Sequence, residues 1–176
     1  IGDPQSAAHL FLMNSGNANF NSRECHAAEI GSANGITNGR GLAAMYAPLA
    51  NGGALGGVRL VSADTLARMG RVSMATHEDA TLLIPTRFAP GFMKSMDNRK
   101  LDVPEGASCI LSDAAFGHVG MGGSIGFADP QARMSFGYNM NMMGMGILLN
   151  DRGQKLIDAA YGALGYRSNA SGVWAV

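Results

Sequence analysis

Phe116-Gly117-His118-Val119-Gly120-Met121-Gly122-Gly123-Ser124-Ile125-Gly126-Phe127-Ala128-Asp129-Pro130 is the stretch whose reading decides the fold. Phe116 to Met121 and Ser124 to Ala128 flank the Gly122-Gly123 pair, which reads as two antiparallel strands joined by a tight turn. Downstream, Met134, Phe136, Tyr138, Met140 and Met142 alternate with Arg133, Ser135, Gly137, Asn139 and Asn141. That period of two marks a third strand with one buried and one polar or small face, so a three-stranded meander is expected. The Met-rich run from Met134 to Met145 is read as core.

Helices are expected on either side. Leu42, Met45, Tyr46 and Leu49 recur at helical spacing after a cap at Thr37 or Asn38, and Asn51-Gly52-Gly53 ends that helix, with Pro48 straining its last turn. Ser62 caps a second helix from Ala63 to about Met69, burying Leu66 and Met69. Asn150 or Asp151 caps a last one, with Leu156, Ile157, Ala160, Tyr161 and Leu164 on its inner face and Gly165 as its left-handed end. Residues 1–35, poor in periodicity, read as an irregular connector; residues 36–111 read as helices and loops, 112–143 as antiparallel strands and 150–165 as the C-terminal helix. Within 36–111, Thr81 to Ile84 and Arg87 to Met93 are strand-like runs broken by Pro85, Pro90 and Pro104, read as edge strands or loops.

Composition excludes several functions. Of 176 residues, 13 Lys+Arg balance 13 Asp+Glu, which leaves no basic footprint for nucleic acid. Hydrophobic residues are 47% and charged ones 15%, the balance of a chain with a packed core rather than a disordered one. No apolar run is long enough to span a membrane, and Ile1-Gly2-Asp3-Pro4 carries neither a basic leader nor an apolar signal core. Cys25 and Cys109 form neither a C-x-x-C pair nor a disulfide framework. His77-Glu78 opens like a zinc-protease motif, but Thr81 stands where the second histidine is needed, so no metal is expected. No glycine-rich loop has the spacing that cradles phosphates, so no cofactor is expected either. Cys25-His26 are neighbours whose side chains project apart, which makes Cys25 a buried thiol rather than a nucleophile. Ser112-Asp113 lacks the asparagine of an S-D-N element and reads as a turn.

The segment from Phe116 to Pro130, followed by Phe136-Gly137-Tyr138-Asn139-Met140-Asn141, resembles the C-terminal part of the class C β-lactamase and penicillin-binding-protein-like serine hydrolases, esterases included. Glu29-Ile30-Gly31-Ser32-Ala33-Asn34-Gly35, Leu49-Ala50-Asn51-Gly52-Gly53 and Leu60-Val61-Ser62-Ala63-Asp64-Thr65-Leu66 are similar to earlier family segments in the same order, so the resemblance runs from about Glu29 to Gly165. It implies an α/β (α+β) fold of the β-lactamase/transpeptidase type, an antiparallel sheet flanked by helices, of which this chain is the C-terminal portion. It also implies an acyl-enzyme mechanism built on three elements: S-x-x-K, Y-x-N, and a K-T-G or H-x-G strand.

Only the third element is here. His118-Val119-Gly120 matches the H-x-G form, and strand alternation puts His118 and Gly120 on one face. By resemblance, His118 and Gly120 belong to the catalytic cleft and the Met121 backbone N–H is an oxyanion-hole donor, an interaction typically worth about 2.7–4 kcal/mol. Val119, Gly122 and Gly123 are the candidate substrate-binding residues. The three lysines, Lys94, Lys100 and Lys155, follow Gly91, Asp97 and Arg152 at the S-x-x-K spacing, so no such motif exists in this chain. Tyr138 has Met140 where Y-x-N requires asparagine. The nucleophile is therefore expected upstream, in an N-terminal remainder that a chain beginning on Ile1 rather than Met also points to. Histidine carries little charge near neutrality, and Val119 lacks the hydroxyl of K-T-G, so both argue for uncharged esters or amides over β-lactams that present a carboxylate. The alternatives are a non-catalytic binding or scaffold relative of the same fold, or an unrelated domain that resembles the family by chance. By itself, this chain is expected to hydrolyse little.

Overall fold

The computed structural model describes residues 2–14, 18–33 and 35–176. Ser15, Gly16 and Asn17 of the expected connector, and Asn34 of the Glu29–Gly35 segment, lie outside the described residues. In chain order the elements are α1 (Ala7–Met13), α2 (Arg23–Ala27), α3 (Gly39–Ala50), β1 (Ala54–Leu55), β2 (Val58–Arg59), α4 (Ala63–Met69), β3 (Met74–Thr76), β4 (Thr86–Ala89), β5 (Phe92–Met93), β6 (Phe116–Gly120), β7 (Ser124–Asp129), β8 (Met134–Tyr138) and α5 (Asp151–Ala163). Strands β3 to β8 form one antiparallel six-stranded sheet in sequence order, and β1 and β2 form a separate hairpin. The two short helices α1 and α2 interrupt the stretch read as irregular.

The strand alternation seen in the sequence sets the layers. Val119 of β6, Ile125 and Phe127 of β7 and Phe136 of β8 point to one face, where they pack with Ile157 and Tyr161 of α5. Phe116 and Ala128 point to the other, against Tyr46, Leu49 and Ala50 of α3 and Leu66 of α4. Each fully buried large side chain, such as Phe127 or Ile157, contributes about 1.5–3 kcal/mol by leaving water. Aromatic contacts tie the layers together: Tyr46 of α3 meets Phe92 of β5 edge-on at 6.4 Å, and Phe127 of β7 stacks on Tyr161 of α5 at 6.3 Å. Helix α3 lies unusually close to the sheet because Gly126 and Gly137 have no side chain there; a Cβ on Gly126 would come within 2.6 Å of the Tyr46 ring.

Caps follow the sequence. The side chains of Asn38, Ser62 and Asn150 accept the first free amides of α3, α4 and α5, from Gly41, Thr65 and Gly153. Pro48 is accommodated inside α3 two residues before its end.

Several expectations are corrected. The third strand ends at Tyr138 rather than Met142, because Tyr138 already pairs with Ile125 near the start of β7 and no partner remains beyond it. The chain then loops out, leaving Met142, Met143 and Met145 exposed rather than in the core. The β6–β7 connection has three residues, Met121 to Gly123, since Gly120 and Ser124 are the last pair. Thr81 to Ile84 is a turn and not a strand: both the Thr81 and Leu82 amides donate to Asp79 Oδ1, and Leu83 takes φ +58°. Arg87 to Met93 is a hairpin around Pro90-Gly91 whose two strands lie inside the sheet, the proline sitting in the turn where no donor is needed. Met45, Leu156 and Leu164 are exposed, because the inner faces of α3 and α5 are narrower than the apolar stripe predicts.

Candidate active site

Antiparallel pairing of β6 with β7 places His118 opposite Gly126 and Gly120 opposite Ser124. All four lie on the α3 face of the sheet, where with Leu42, Met45 and Tyr46 of α3 and the segment around Glu29 and Ile30 they line an open groove of about 670 Å³. His118 is the exposed polar side chain on this stretch of β6, between buried Gly117 and Val119. Its Nδ1 lies 2.7 Å from the Val119 carbonyl oxygen. A carbonyl can only accept, so Nδ1 carries the hydrogen, and in that tautomer Nε2 is the acceptor. Tyr46, its ring pressed over Gly126, keeps a neutral phenol because burial pushes its pKa up. The groove is thus apolar on its helical side, with His118 and Ser124 as its polar groups on the strand side.

The remaining expected residues fall into two groups. Gly120 lines the groove, and the space a Cβ would occupy is taken by the Ser124 hydroxyl. Met121 stands at the head of the turn, one residue beyond β6, with its side chain exposed. Val119 is corrected as a side-chain contact: strand alternation turns its isopropyl group into the core on the α5 face, so only its backbone borders the groove. Gly122 and Gly123 do not line the groove. Their φ angles of +89° and +107° make the turn, and both pack away from the groove. A Cβ on Gly122 would come within 2.8 Å of Met143, and one on Gly123 would strike the Asn150 amide.

Sequence reasoning missed Ser124, Gly126, Leu42 and Tyr46 as groove residues; the strand register supplies the signal, since residues paired with His118 and Gly120 must share their face. It also missed a buried polar cluster on the opposite face. Asp129 Oδ2 accepts from the Ser112 hydroxyl at 2.5 Å and the Tyr161 hydroxyl at 2.8 Å, and Oδ1 accepts from the Ala132 amide at 2.9 Å. Burial and the neighbouring Asp129 carboxylate hold the Tyr161 phenol well above its ordinary range. Trp174 of the C-terminal tail stacks on Tyr161 at 5.7 Å and closes the cluster. Lys94 is buried too, donating to the Asp113 carbonyl at 2.7 Å; burial lowers its pKa, with the Asp113 carboxylate opposing. Asp129, Ser112 and Tyr161 fasten the sheet to α5 on the face away from the groove, and Lys94 ties the end of β5 to the segment before β6. Cys25 is buried, while the His26 ring donates to the Phe20 carbonyl at 3.0 Å, so the adjacent pair does not converge. Ser112 sits in a turn, as its Ser-Asp-Ala sequence indicates.

A six-stranded antiparallel sheet with helices on both faces is the β-lactamase/transpeptidase-like fold that the sequence resemblance implies. Residues 2–164 match the family profile described as Beta-lactamase, and the chain belongs to that family. Among its relatives, an esterase/beta-lactamase, LipL, of Mycobacterium tuberculosis is 34% identical over 124 residues, 70% of this chain and 26% of that protein. Among solved structures, a family VIII carboxylesterase is 43% identical with a TM-score of 0.68, covering 81% of this chain and 36% of that one. EstA from Arthrobacter nitroguajacolicus Rue61a is 28% identical with a TM-score of 0.72, covering 93% of this chain and 42% of that one. A penicillin-binding protein homologue from Caulobacter crescentus is 31% identical with a TM-score of 0.65 over 81% of this chain and 36% of that one. The chain therefore spans about a quarter of its curated relative's length. Among the described residues no helix is long and apolar enough to cross a membrane.

Proposed function

We propose that this chain is the C-terminal portion of a serine hydrolase acting through an acyl-enzyme on small ester, amide or β-lactam substrates, with neutral esters preferred. The observation that carries the reading is His118: exposed over the groove, its ring oriented by the Nδ1 bond to Val119, two residues before Gly120 and three before the turn that begins at Met121. An upstream Ser Oγ, from the S-x-x-K element of the N-terminal remainder, attacks the ester carbonyl. The Met121 N–H receives the developing oxyanion, the serine proton passes to the leaving alkoxide, and water then releases the acid and regenerates the serine. His118 Nε2 accepts a hydrogen bond at the reacting centre and helps relay that proton. The preference for neutral esters follows from the missing cation and from Val119, whose side chain faces the core and offers the groove no hydroxyl.

By itself the 176-residue chain hydrolyses little, since the nucleophile lies outside it. The test is covalent labelling of the full-length gene product with a fluorophosphonate serine probe, followed by intact mass. Labelling on an upstream serine, with His118→Ala lowering kcat/KM about 10²–10⁴-fold, is the expected result. A full-length product that takes no label would make this a non-catalytic binding relative.

A further inference from the structure

On the sheet and α3 sides of the groove stand two hydroxyls that the fold does not use. Ser124, half-buried at the start of β7, holds its Oγ over the α-carbon of Gly120, in the space a side chain there would fill. The glycine of the H-x-G strand therefore shows the groove a hydroxyl in place of bare backbone. Tyr46 of α3 lines the same groove, is 7% exposed and lays its ring over Gly126, the residue paired with His118. Among the described residues neither hydroxyl has a hydrogen-bond partner, whereas those of Thr86, Ser95, Ser112 and Tyr161 in the interior are all bonded. Among buried and half-buried described residues, every side-chain oxygen or nitrogen shut off from water has a partner. The unbonded Tyr46 oxygen therefore reaches solvent, and the groove is the opening that Tyr46 lines. Closing a substrate over such groups takes their water away, which costs binding unless the substrate bonds them itself.

We propose that Ser124, together with Tyr46, sets specificity at the site proposed above by donating to an acceptor oxygen of the substrate, so that esters carrying an ether or second carbonyl oxygen are preferred over their all-alkyl counterparts. The inference rests on the hydrolase reading. Ser124 and Gly126 are successive residues on one face of β7, so the serine and the tyrosine ring are neighbours along the groove. The direction of the bonds follows from what surrounds them. With its hydrogen on Nδ1, His118 offers the groove an acceptor at Nε2, and Leu42 and Met45 offer no strong donor. Side-chain donors on this part of the groove are thus Ser124 and Tyr46, both neutral, since burial keeps the phenol protonated. Neutral donors suit ether and carbonyl oxygens, and they stand where Val119, turned into the core, gives nothing.

The test measures kcat/KM of the full-length protein on two isosteric ester pairs, p-nitrophenyl methoxyacetate with p-nitrophenyl butanoate and 2-methoxyethyl acetate with butyl acetate, for the wild type, Ser124→Ala and Tyr46→Phe. In each pair an ether oxygen replaces one methylene, in the acyl half or in the alcohol half. Intrinsic reactivity cancels when the ether-to-alkyl ratio of a variant is divided by that of the wild type. A neutral hydrogen bond corresponds to about a fivefold effect, so the ratio is expected to fall about fivefold in both variants for the pair whose ether oxygen lies in the groove. A loss of packing alone lowers both esters of a pair together and leaves the ratio in place. Active variants whose ratios stay within about 1.5-fold of wild type in both pairs overturn the assignment and leave the hydrolase reading intact. A wild-type protein that hydrolyses none of these esters and takes no serine probe overturns the hydrolase reading, and this assignment with it.

Discussion

The close approach of α3 to the sheet makes Gly137→Ala the sharpest test of the packing described here. A Cβ on Gly137 would strike the Gly39 carbonyl oxygen and come within 2.6 Å of the Ala43 nitrogen and 2.7 Å of Leu42 Cβ. Comfortable carbon contacts begin near 3.5 Å, so α3 must move by roughly 1 Å or more. The clashing atoms are mostly backbone and cannot rotate away. Moving α3 loosens Tyr46, Leu49 and Ala50, each buried against the sheet. Overpacking of this kind costs typically 1–3 kcal/mol, and with rigid partners the upper end, about 3 kcal/mol, is expected. For a chain of this length that lowers Tm by roughly 6–12 °C. Urea unfolding followed by circular dichroism, with Gly162→Ala as the control, measures it. Gly162 is exposed on α5 with nothing within 4 Å of its added Cβ, so alanine there stabilises by about 0.8–1 kcal/mol. A Gly137→Ala loss below about 1 kcal/mol would show that α3 does not rest on β8 as described.

Asp129→Ala strands the buried Ser112 and Tyr161 hydroxyls and should destabilise by about 3 kcal/mol or more, while Tyr161→Phe, which keeps the Ser112 hydroxyl on Asp129 but gives up the bond that the Tyr161 oxygen accepts from the Ser112 amide, costs less, about 1–2 kcal/mol; equal losses in chemical denaturation would contradict the network. Burial of Asp79 acts to raise its pKa, but the Leu82 and Thr81 amides and the Thr86 hydroxyl outweigh it and hold the carboxyl below the usual range. The unfolded chain therefore protonates Asp79 first as pH falls, so its stabilisation is present above about pH 4 and is lost below it. Wild type should exceed Asp79→Asn in stability near neutrality and converge with it in acid; parallel curves from pH 7 to 3 would refute this. His118→Lys should keep the groove's shape and raise activity on carboxylate-bearing β-lactams relative to neutral esters in the full-length protein, and an unchanged ratio would remove charge as the basis of the preference.

What could be read from the chain alone was whatever repeats within a few residues. The meander around Gly122-Gly123, the caps at Ser62 and Asn150 and the shared face of His118 and Gly120 are properties of turn chemistry and of periods of two and 3.6. Charge balance and motif spacing likewise needed no coordinates. Tertiary structure decided everything that depends on a partner distant in sequence. Period two could not stop β8 at Tyr138, because its end is set by where β7 begins. Apolar stripes could not tell that Met45, Leu156 and Leu164 face water, since burial depends on what covers a face rather than on the face itself. Neither Asp129 nor Lys94 announces itself as buried; Asp129 is enclosed only because Ser112, Tyr161 and Trp174, spread over 63 positions of chain (112 to 174), meet there in space. The groove is decided the same way: His118 is legible in a motif, but Leu42 and Tyr46 reach it only because Gly126 and Gly137 let a helix settle on the sheet.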